Sequence, residues 1–310
     1  MMEKAQKEPS PVYVTLGSLV ALHKGARSLP GNPQAIRAAS GDSYLSPFKG
    51  RGMEYDESRP YQSGDDVRNL DWRVMARTGK PHTKVFREER ERPVFCLVDY
   101  RTGMFFATRG VFKHVLAAEL ASLAAWRAVI HGDRVGGIVF SDTVHHELKP
   151  ERGRAATLHL LRQLEDAQEW PRDATSHSPA INGALARLRR LARPGSLLML
   201  FSDFRGLDQR GQAHLSYLAR HNAMFLFHVH DPIEEHLPPP GQYPMVSGRQ
   251  SWVMDSANPK VAQAHIQRYQ DHRASLQDLC RRNQSSFITC STDEDPQAIM
   301  QRALGGAARP

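Results

Sequence analysis

The chain has 310 residues, 40% hydrophobic and 24% charged, a balance that supports a folded core and excludes an intrinsically disordered protein. Its net charge of +8 is spread along the sequence, densest between Lys149 and Arg193, which gives only weak grounds for a polyanion partner. No apolar run approaches the ~20 residues of a bilayer span, and the N-terminus leads into no signal-peptide apolar core, so the expectation is a soluble, cytoplasmic protein.

In chain order, residues 1–12 read as a tail and Tyr13 to Arg27 as a short helix with Leu16, Leu19 and Val20 among its apolar positions. Residues 28–52 are rich in Gly, Pro and Ser and read as loop. Ser63 to Gly79 predicts a helix, with Ser63 and Asp66 as a capping-box-like pair, a buried stripe of Val67, Leu70, Val74 and Met75, and Gly79 as a left-handed cap. Thr83 to Phe86 is extended, and a charged run follows to Arg92.

From Pro93 the pattern changes. Val94 to Val98, Leu197 to Phe201 and Met224 to Val229 are short apolar runs of the kind buried on both faces of a parallel sheet. Each leads into an aspartate: Asp99, Asp203 and Asp231. Between them lie a strand at 134–140, an edge strand at 144–148, and helices at 111–130, 154–166, 179–192 and 208–221. A proline-rich stretch with hairpin character spans 232–257, followed by a helix at 259–282, a strand at 286–289 and a helix at 296–304. The alternation predicts an α/β, doubly wound, mostly parallel sheet at 93–310, with an N-terminal extension at 1–92 and an insertion near 232–257. The functional crevice of such a sheet lies at the C-terminal ends of its strands.

The most distinctive stretch is Gly50-Arg51-Gly52-Met53-Glu54, then Arg59-Pro60-Tyr61, Gly64-Asp65-Asp66-Val67-Arg68, Asp71-Trp72 and Ala76-Arg77-Thr78-Gly79. It resembles the signature of the bacterial family catalogued as domain of unknown function 58. Asp231-Pro232-Ile233-Glu234 and Ser291-Thr292-Asp293 are similar to that family's downstream pattern, so the likeness runs from about residue 41 to the end. The resemblance implies a von Willebrand A-like domain without catalytic activity. It also implies a frequent pairing with MoxR-type AAA+ ATPases, in complexes that act as chaperones or assembly factors. Physically, the alternating charges of Glu54, Arg59, Asp65, Asp66, Arg68, Asp71, Arg73 and Arg77 allow two readings: an ion-pair lattice with Trp72 packed beneath it, or a charged surface facing a partner.

Von Willebrand A-like domains often carry a metal-ion-dependent adhesion site at the sheet crest, with D-x-S-x-S after the first strand. Here that stretch is Asp99-Tyr100-Arg101-Thr102-Gly103, so Arg101 and Gly103 stand in the two serine positions. Asp203, after Ser202, matches the later aspartate; the hydroxyl from an intervening loop falls among Thr175, Ser176 and Ser178. A guanidinium beside two carboxylates repels a divalent ion and pairs with both. The expectation is therefore a degenerate site with no cofactor. The weaker alternative is Mg²⁺ on Asp99 and Asp203, helped by Thr102 and Ser202.

Histidines invite metal readings, but His145-His146 face opposite sides of a strand, and His228 with His230 lacks a nameable third ligand. There is no phosphate-binding glycine loop and no nucleophile beside a base. Cys96, Cys280 and Cys290 form no C-x-x-C pair and read as reduced core residues. The function read from the sequence is a non-enzymatic protein-binding adaptor or co-chaperone of a MoxR-type ATPase. Two alternatives stand beside it: a nucleic-acid-binding module using Arg187, Arg189, Arg190 and Arg193, and a metal-dependent hydrolase.

Overall fold

A computed structural model describes residues 10–30, 53–88, 92–171, 180–247 and 250–305. Most of the expected tail and of the loop at 28–52, including Gly50 and Gly52, lies outside the described residues, as do Thr175, Ser176, Ser178 and the side chain of Glu54. Two compact units divide the chain, one of residues 40–91 and the other of 1–39 with 92–310.

In the smaller unit, β1 (Met53–Pro60) and β2 (His82–Glu88) pair antiparallel around a bulge between Tyr55 and Glu57. Between them stand a 3-10 turn at Val67–Asn69 and a helix at Trp72–Thr78. The helix is shorter than the sequence predicts because Asp71, not Ser63, caps it: its carboxylate accepts from the backbone N–H groups of Arg73 and Val74. Asp66 caps the 3-10 turn in the same way. Gly79, at φ +68°, closes the helix through a bond from its N–H to the Met75 carbonyl.

The larger unit is built on six strands. These are β3 (Pro93–Asp99), β4 (Arg134–Phe140), β5 (His145–Arg152), β6 (Leu197–Ser202), β7 (Ala223–His230) and, last in the chain, β10 (Ser286–Ser291). Their order is β10-β7-β6-β3-β4-β5, parallel throughout except for the antiparallel edge strand β5. Counted within the sheet this is the doubly wound order 3-2-1-4-5-6, and the chain reverses direction between β3 and β6. The fold is α/β with a doubly wound, mostly parallel sheet. The stretch after β7 holds a short helix (Pro232–Glu235) and the hairpin of β8 (Gln242–Ser247) and β9 (Gln250–Asp255).

Alternation along β3 sends Val94, Cys96 and Val98 to one face and Phe95 and Leu97 to the other. The first face is covered by helices Lys113–Ile130, Gly153–Asp166 and Pro296–Leu304. The second is covered by Ala180–Leu191, Gln209–Ala219 and Pro259–Arg282. Burial on both sides explains the unbroken apolar runs; each fully buried leucine contributes about 2 kcal/mol. In β4 the glycines are steric requirements: a Cβ at Gly137 would lie 2.5 Å from the Cys96 carbonyl oxygen. All three cysteines are buried and free, and burial pushes the Cys96 and Cys280 thiols up to about 12.

The extension expected at 1–92 is not one body. Residues 10–30 form short helices at Leu16–Ala21 and His23–Ala26 that pack on the sheet unit. The Leu19 carbonyl accepts from Ser122 Oγ at 2.8 Å and Trp126 Nε1 at 3.1 Å, and Gln168 bonds both backbone groups of Val14. These ties explain why the segment belongs to the larger unit.

Candidate functional site

The crest of the sheet is where β3 and β6 end side by side. Asp99, the last residue of β3, is wholly buried, and Asp203 follows β6 directly. Arg101 lies between them. Its Nε is 3.0 Å from both oxygens of Asp99, and its Nη2 reaches Asp99 Oδ2 at 2.6 Å and Asp203 Oδ1 at 2.9 Å. Its Nη1 donates to the Arg205 carbonyl at 2.6 Å. Its side chain is 12% exposed, so nearly all its donors are spent inside the protein. Ser202 Oγ also donates to Asp99 and accepts from the Phe204 N–H at 2.8 Å.

A second cation closes the cluster from the adjoining helix. Lys113 Nζ is 3.2 Å from Asp203 Oδ2 and 2.8 Å from Glu234 Oε1, and its side chain is almost fully buried. Arg205 Nη2 approaches the same Glu234 oxygen at 3.4 Å. Thr102 donates its N–H and Oγ1–H to Asp142, each at 2.8 Å. Burial alone would raise the pKa of Asp203, but Lys113, Arg101 and Arg205 outweigh it and hold the carboxyl far below its usual range. For Arg101, burial acts to lower the pKa, and Asp99 and Asp203 reverse the balance, so the net shift is upward. Lys113 follows the same pattern, with Asp203 and Glu234 raising it. All three groups stay ionised across the physiological range.

The Mg²⁺ that the fold implies does not fit these residues. The carboxylate oxygens that would ligate it are engaged by Arg101, Lys113 and Ser202. Thr102 is committed to Asp142, and Gly103 offers no hydroxyl. Among the described residues no group of three or more His, Cys, Asp or Glu is arranged to hold a metal.

Asp231, beyond the end of β7, is held by neutral donors instead. It accepts from the Thr108 N–H at 2.7 Å, from Thr292 Oγ1 at 2.9 Å and from the Ile233 N–H at 3.0 Å, and Thr108 Oγ1 donates to it as well. The Asp231-Pro232-Ile233-Glu234 and Ser291-Thr292-Asp293 stretches thus meet: Asp231 binds Thr292, and Glu234 binds Lys113.

In the smaller unit the signature residues are less buried than expected. Arg59 pairs with Asp65 at 2.6 Å, Asp65 also accepts from the Gln62 N–H at 2.9 Å, and Asp71 accepts from Ser58 Oγ at 2.6 Å. Trp72 is 63% exposed rather than packed beneath a lattice, and Val67 is exposed too. Asp66, Arg68, Arg73 and Arg77 face outward, Tyr61 is half-buried, and Gly64 turns the chain at φ +107°. A hairpin with a seven-residue helix has little interior in which to bury a stripe.

Other candidates resolve locally. His146 stacks on Trp170 at 5.3 Å, Arg187 faces Glu147 at 3.6 Å and Arg189 lies over the Tyr217 ring at 4.5 Å. Neither of those two arginines is a bare phosphate contact. Sequence reasoning missed Lys113, Glu234, Asp142 and Arg205. Lys113 had a signal: a lysine opening a helix that is otherwise almost wholly buried.

A model of the family described as "Protein of unknown function DUF58" matches residues 57–275. The chain belongs to this family. The DUF58 chain is 27% identical over 267 residues to the uncharacterized protein Rv1480 of Mycobacterium tuberculosis, covering 86% of this chain and 83% of that protein. Among solved structures, it is similar to the conserved hypothetical protein BatB from Bacteroides thetaiotaomicron, with a TM-score of 0.43 and 14% identity, over 69% of this chain and 97% of that one. It is also similar to a von Willebrand factor type A protein from Catenulispora acidiphila, with a TM-score of 0.37 and 11% identity, over 72% of this chain and 45% of that one. None of the helices described is long and apolar enough to cross a membrane.

Proposed function

We propose that this DUF58 chain is a non-enzymatic, cytoplasmic adaptor that binds proteins through the crest of its sheet, partnered with a MoxR-type AAA+ ATPase that it supplies with clients. The observation that carries the reading is the Arg101 guanidinium lodged between Asp99 and Asp203. The position in which metal-bearing members of the fold hold a cation is taken by a side chain, so the crevice keeps its place and charge balance without metal. The Asp99 and Asp203 carboxylates are engaged by Arg101 and Lys113 and so are poor general bases, which supports binding rather than turnover. Specificity then comes from charge complementarity around the crest, with the exposed guanidinium of Arg205 as its outermost cation.

Two measurements on the unaltered protein test this. Calorimetric titration with Mg²⁺ or Mn²⁺ is expected to show no saturable heat; micromolar binding that disappears in Asp99→Ala would overturn the metal-free crevice. Affinity purification from the native cell after mild cross-linking is expected to recover a MoxR-type ATPase. Its consistent absence while other partners are captured would reject the ATPase pairing.

A further inference from the structure

The short helix of the signature, Trp72–Thr78, turns its largest side chain to water. With 3.6 residues per turn, Trp72, Arg73, Ala76 and Arg77 fall within about 140° of its circumference. All four are exposed, Trp72 by 63%. Val74 and Met75 point the other way and are half-buried. On the preceding 3-10 turn Val67 and Arg68 are exposed as well. We propose that this face docks an acidic segment of a partner protein, with an apolar side chain of the segment packed on Trp72 and its carboxylates on Arg73 and Arg77. The inference rests neither on binding at the crest nor on the ATPase pairing.

Three observations carry it. The first is an indole with nothing over it. Ala76, one turn along from Trp72, is too small to cover the ring. Tryptophan beside arginine is the pairing that most often dominates the binding energy of a protein interface.

The second is unspent positive charge. Arg73 and Arg77 stand four residues apart, and like charges so placed weaken a helix. Carboxylates from a partner would reverse that sign. The nearby acids are already committed. Asp71 is buried and accepts from Ser58 Oγ at 2.6 Å and from the Arg73 and Val74 N–H groups. Asp65 is paired with Arg59 at 2.6 Å, and Asp66 caps the 3-10 turn. Among the described residues, no carboxylate pairs with the guanidinium of Arg68, Arg73 or Arg77.

The third is that the face is already set. Asp71 caps the helix, and its N–H donates to the His82 carbonyl of β2 at 2.8 Å. Leu70 bridges Thr83 of the same strand, and Gly79 stops the helix. A face fixed before the partner arrives spares the ordering cost of association.

Charge selects the class of partner. Residues 40–91 hold ten Lys/Arg and ten Asp/Glu, so this unit has no broad positive field for a nucleic acid. Asp66 is itself exposed on the turn that carries Arg68. A local basic pair beside an indole complements a short segment in which acids flank an apolar residue.

The test is fluorescence anisotropy, titrating the full chain onto labelled short peptides in which Asp and Glu flank a Leu or Phe. Controls are the same peptides with Ser for the apolar residue, the same peptides with Lys for the acids, and single-stranded DNA of matched charge. The acidic–apolar peptides are expected to bind saturably, the Ser forms about tenfold more weakly, and the Lys forms not at all. Trp72→Ala and the pair Arg73→Gln/Arg77→Gln should each weaken binding about tenfold without moving the melting temperature, because these side chains are exposed. Arg189→Gln, a basic side chain on the sheet unit, should leave the affinity unchanged. No saturable binding of any acidic–apolar peptide would overturn the proposal, as would tighter binding of the DNA or an unchanged affinity in Trp72→Ala. A dimer that Trp72→Ala dissociates would overturn it too, since a second copy of the chain would then be the occupant.

Discussion

The sheet crest and the signature hairpin are built from the same residue types, arginines and aspartates a few positions apart, and they use them in opposite ways. At the crest, Asp99, Arg101, Lys113 and Asp203 are withdrawn from water and meet in one cluster, so each charge depends on the others. In the hairpin, Arg59 pairs with Asp65 near solvent, and Arg68, Arg73 and Arg77 face outward. The lesson is that alternating charge in a sequence does not specify a lattice; burial decides whether a pair is coupled or merely adjacent.

The sharpest way to break that comparison is to remove one buried cation. Lys113→Met leaves Asp203 and Glu234 short of a partner and is expected to cost about 3–5 kcal/mol in urea denaturation. Arg59→Ala in the hairpin should move the denaturation midpoint far less. Equal losses would mean that the two clusters do not differ in kind.

A smaller effect follows from restoring the missing hydroxyls. A Cβ at Gly103 would meet the Asp203 carboxylate at an ordinary 3.7 Å, so a side chain fits there. The double variant Arg101→Ser/Gly103→Ser should be less stable than the parent without divalent ions, and its melting temperature should rise when millimolar Mg²⁺ is added. The unaltered protein should show no such rise. A double variant indifferent to Mg²⁺ would show that Lys113 alone keeps divalent ions out.

The mildest test uses pH. Burial, with Asp295 nearby, pushes the Glu119 carboxyl up to about 7, whereas Asp203 is shifted the other way. A folded-state pKa above the unfolded value means that the native state binds the extra proton, so the Glu119 contribution to stability grows as pH falls from about 7 toward 4.5. The Asp203 contribution has the opposite sign: it is complete above about pH 4 and is lost on further acidification. Glu119→Gln should therefore raise stability at pH 8 by on the order of 2 kcal/mol and flatten the profile between pH 5 and 8. An unchanged profile would show that Glu119 is hydrated in the native state.

How far the sequence revealed this can be judged element by element. The strands at 94–98, 197–201 and 224–229 were legible because burial on both faces forces unbroken apolar runs, and each observed strand differs by only a residue or two at its ends. The Asp99–Arg101–Asp203 contact was legible as well, because a cation in a ligand position between two acids leaves few geometries. The partners of Asp203 from distant segments were not. Lys113 is ninety residues away in the chain, and its one local mark, a lysine opening an apolar helix, points to burial without naming the carboxylate it meets. Strand β1 was hidden because Met53–Pro60 lacks the alternation of a half-buried strand. Trp72 was misplaced because a large aromatic is usually buried, whereas this small unit leaves it out.

Because Arg101 is part of the chain, its occupancy of the crest has no dissociation constant against the medium. A metal would stabilise the fold only in proportion to its free concentration, and a chelator could withdraw it. The tethered guanidinium is present whenever the protein is folded. Occupancy of the crest by Arg101 therefore follows folding, and displacing it takes a rotation of its side chain or a movement of the turn that carries it.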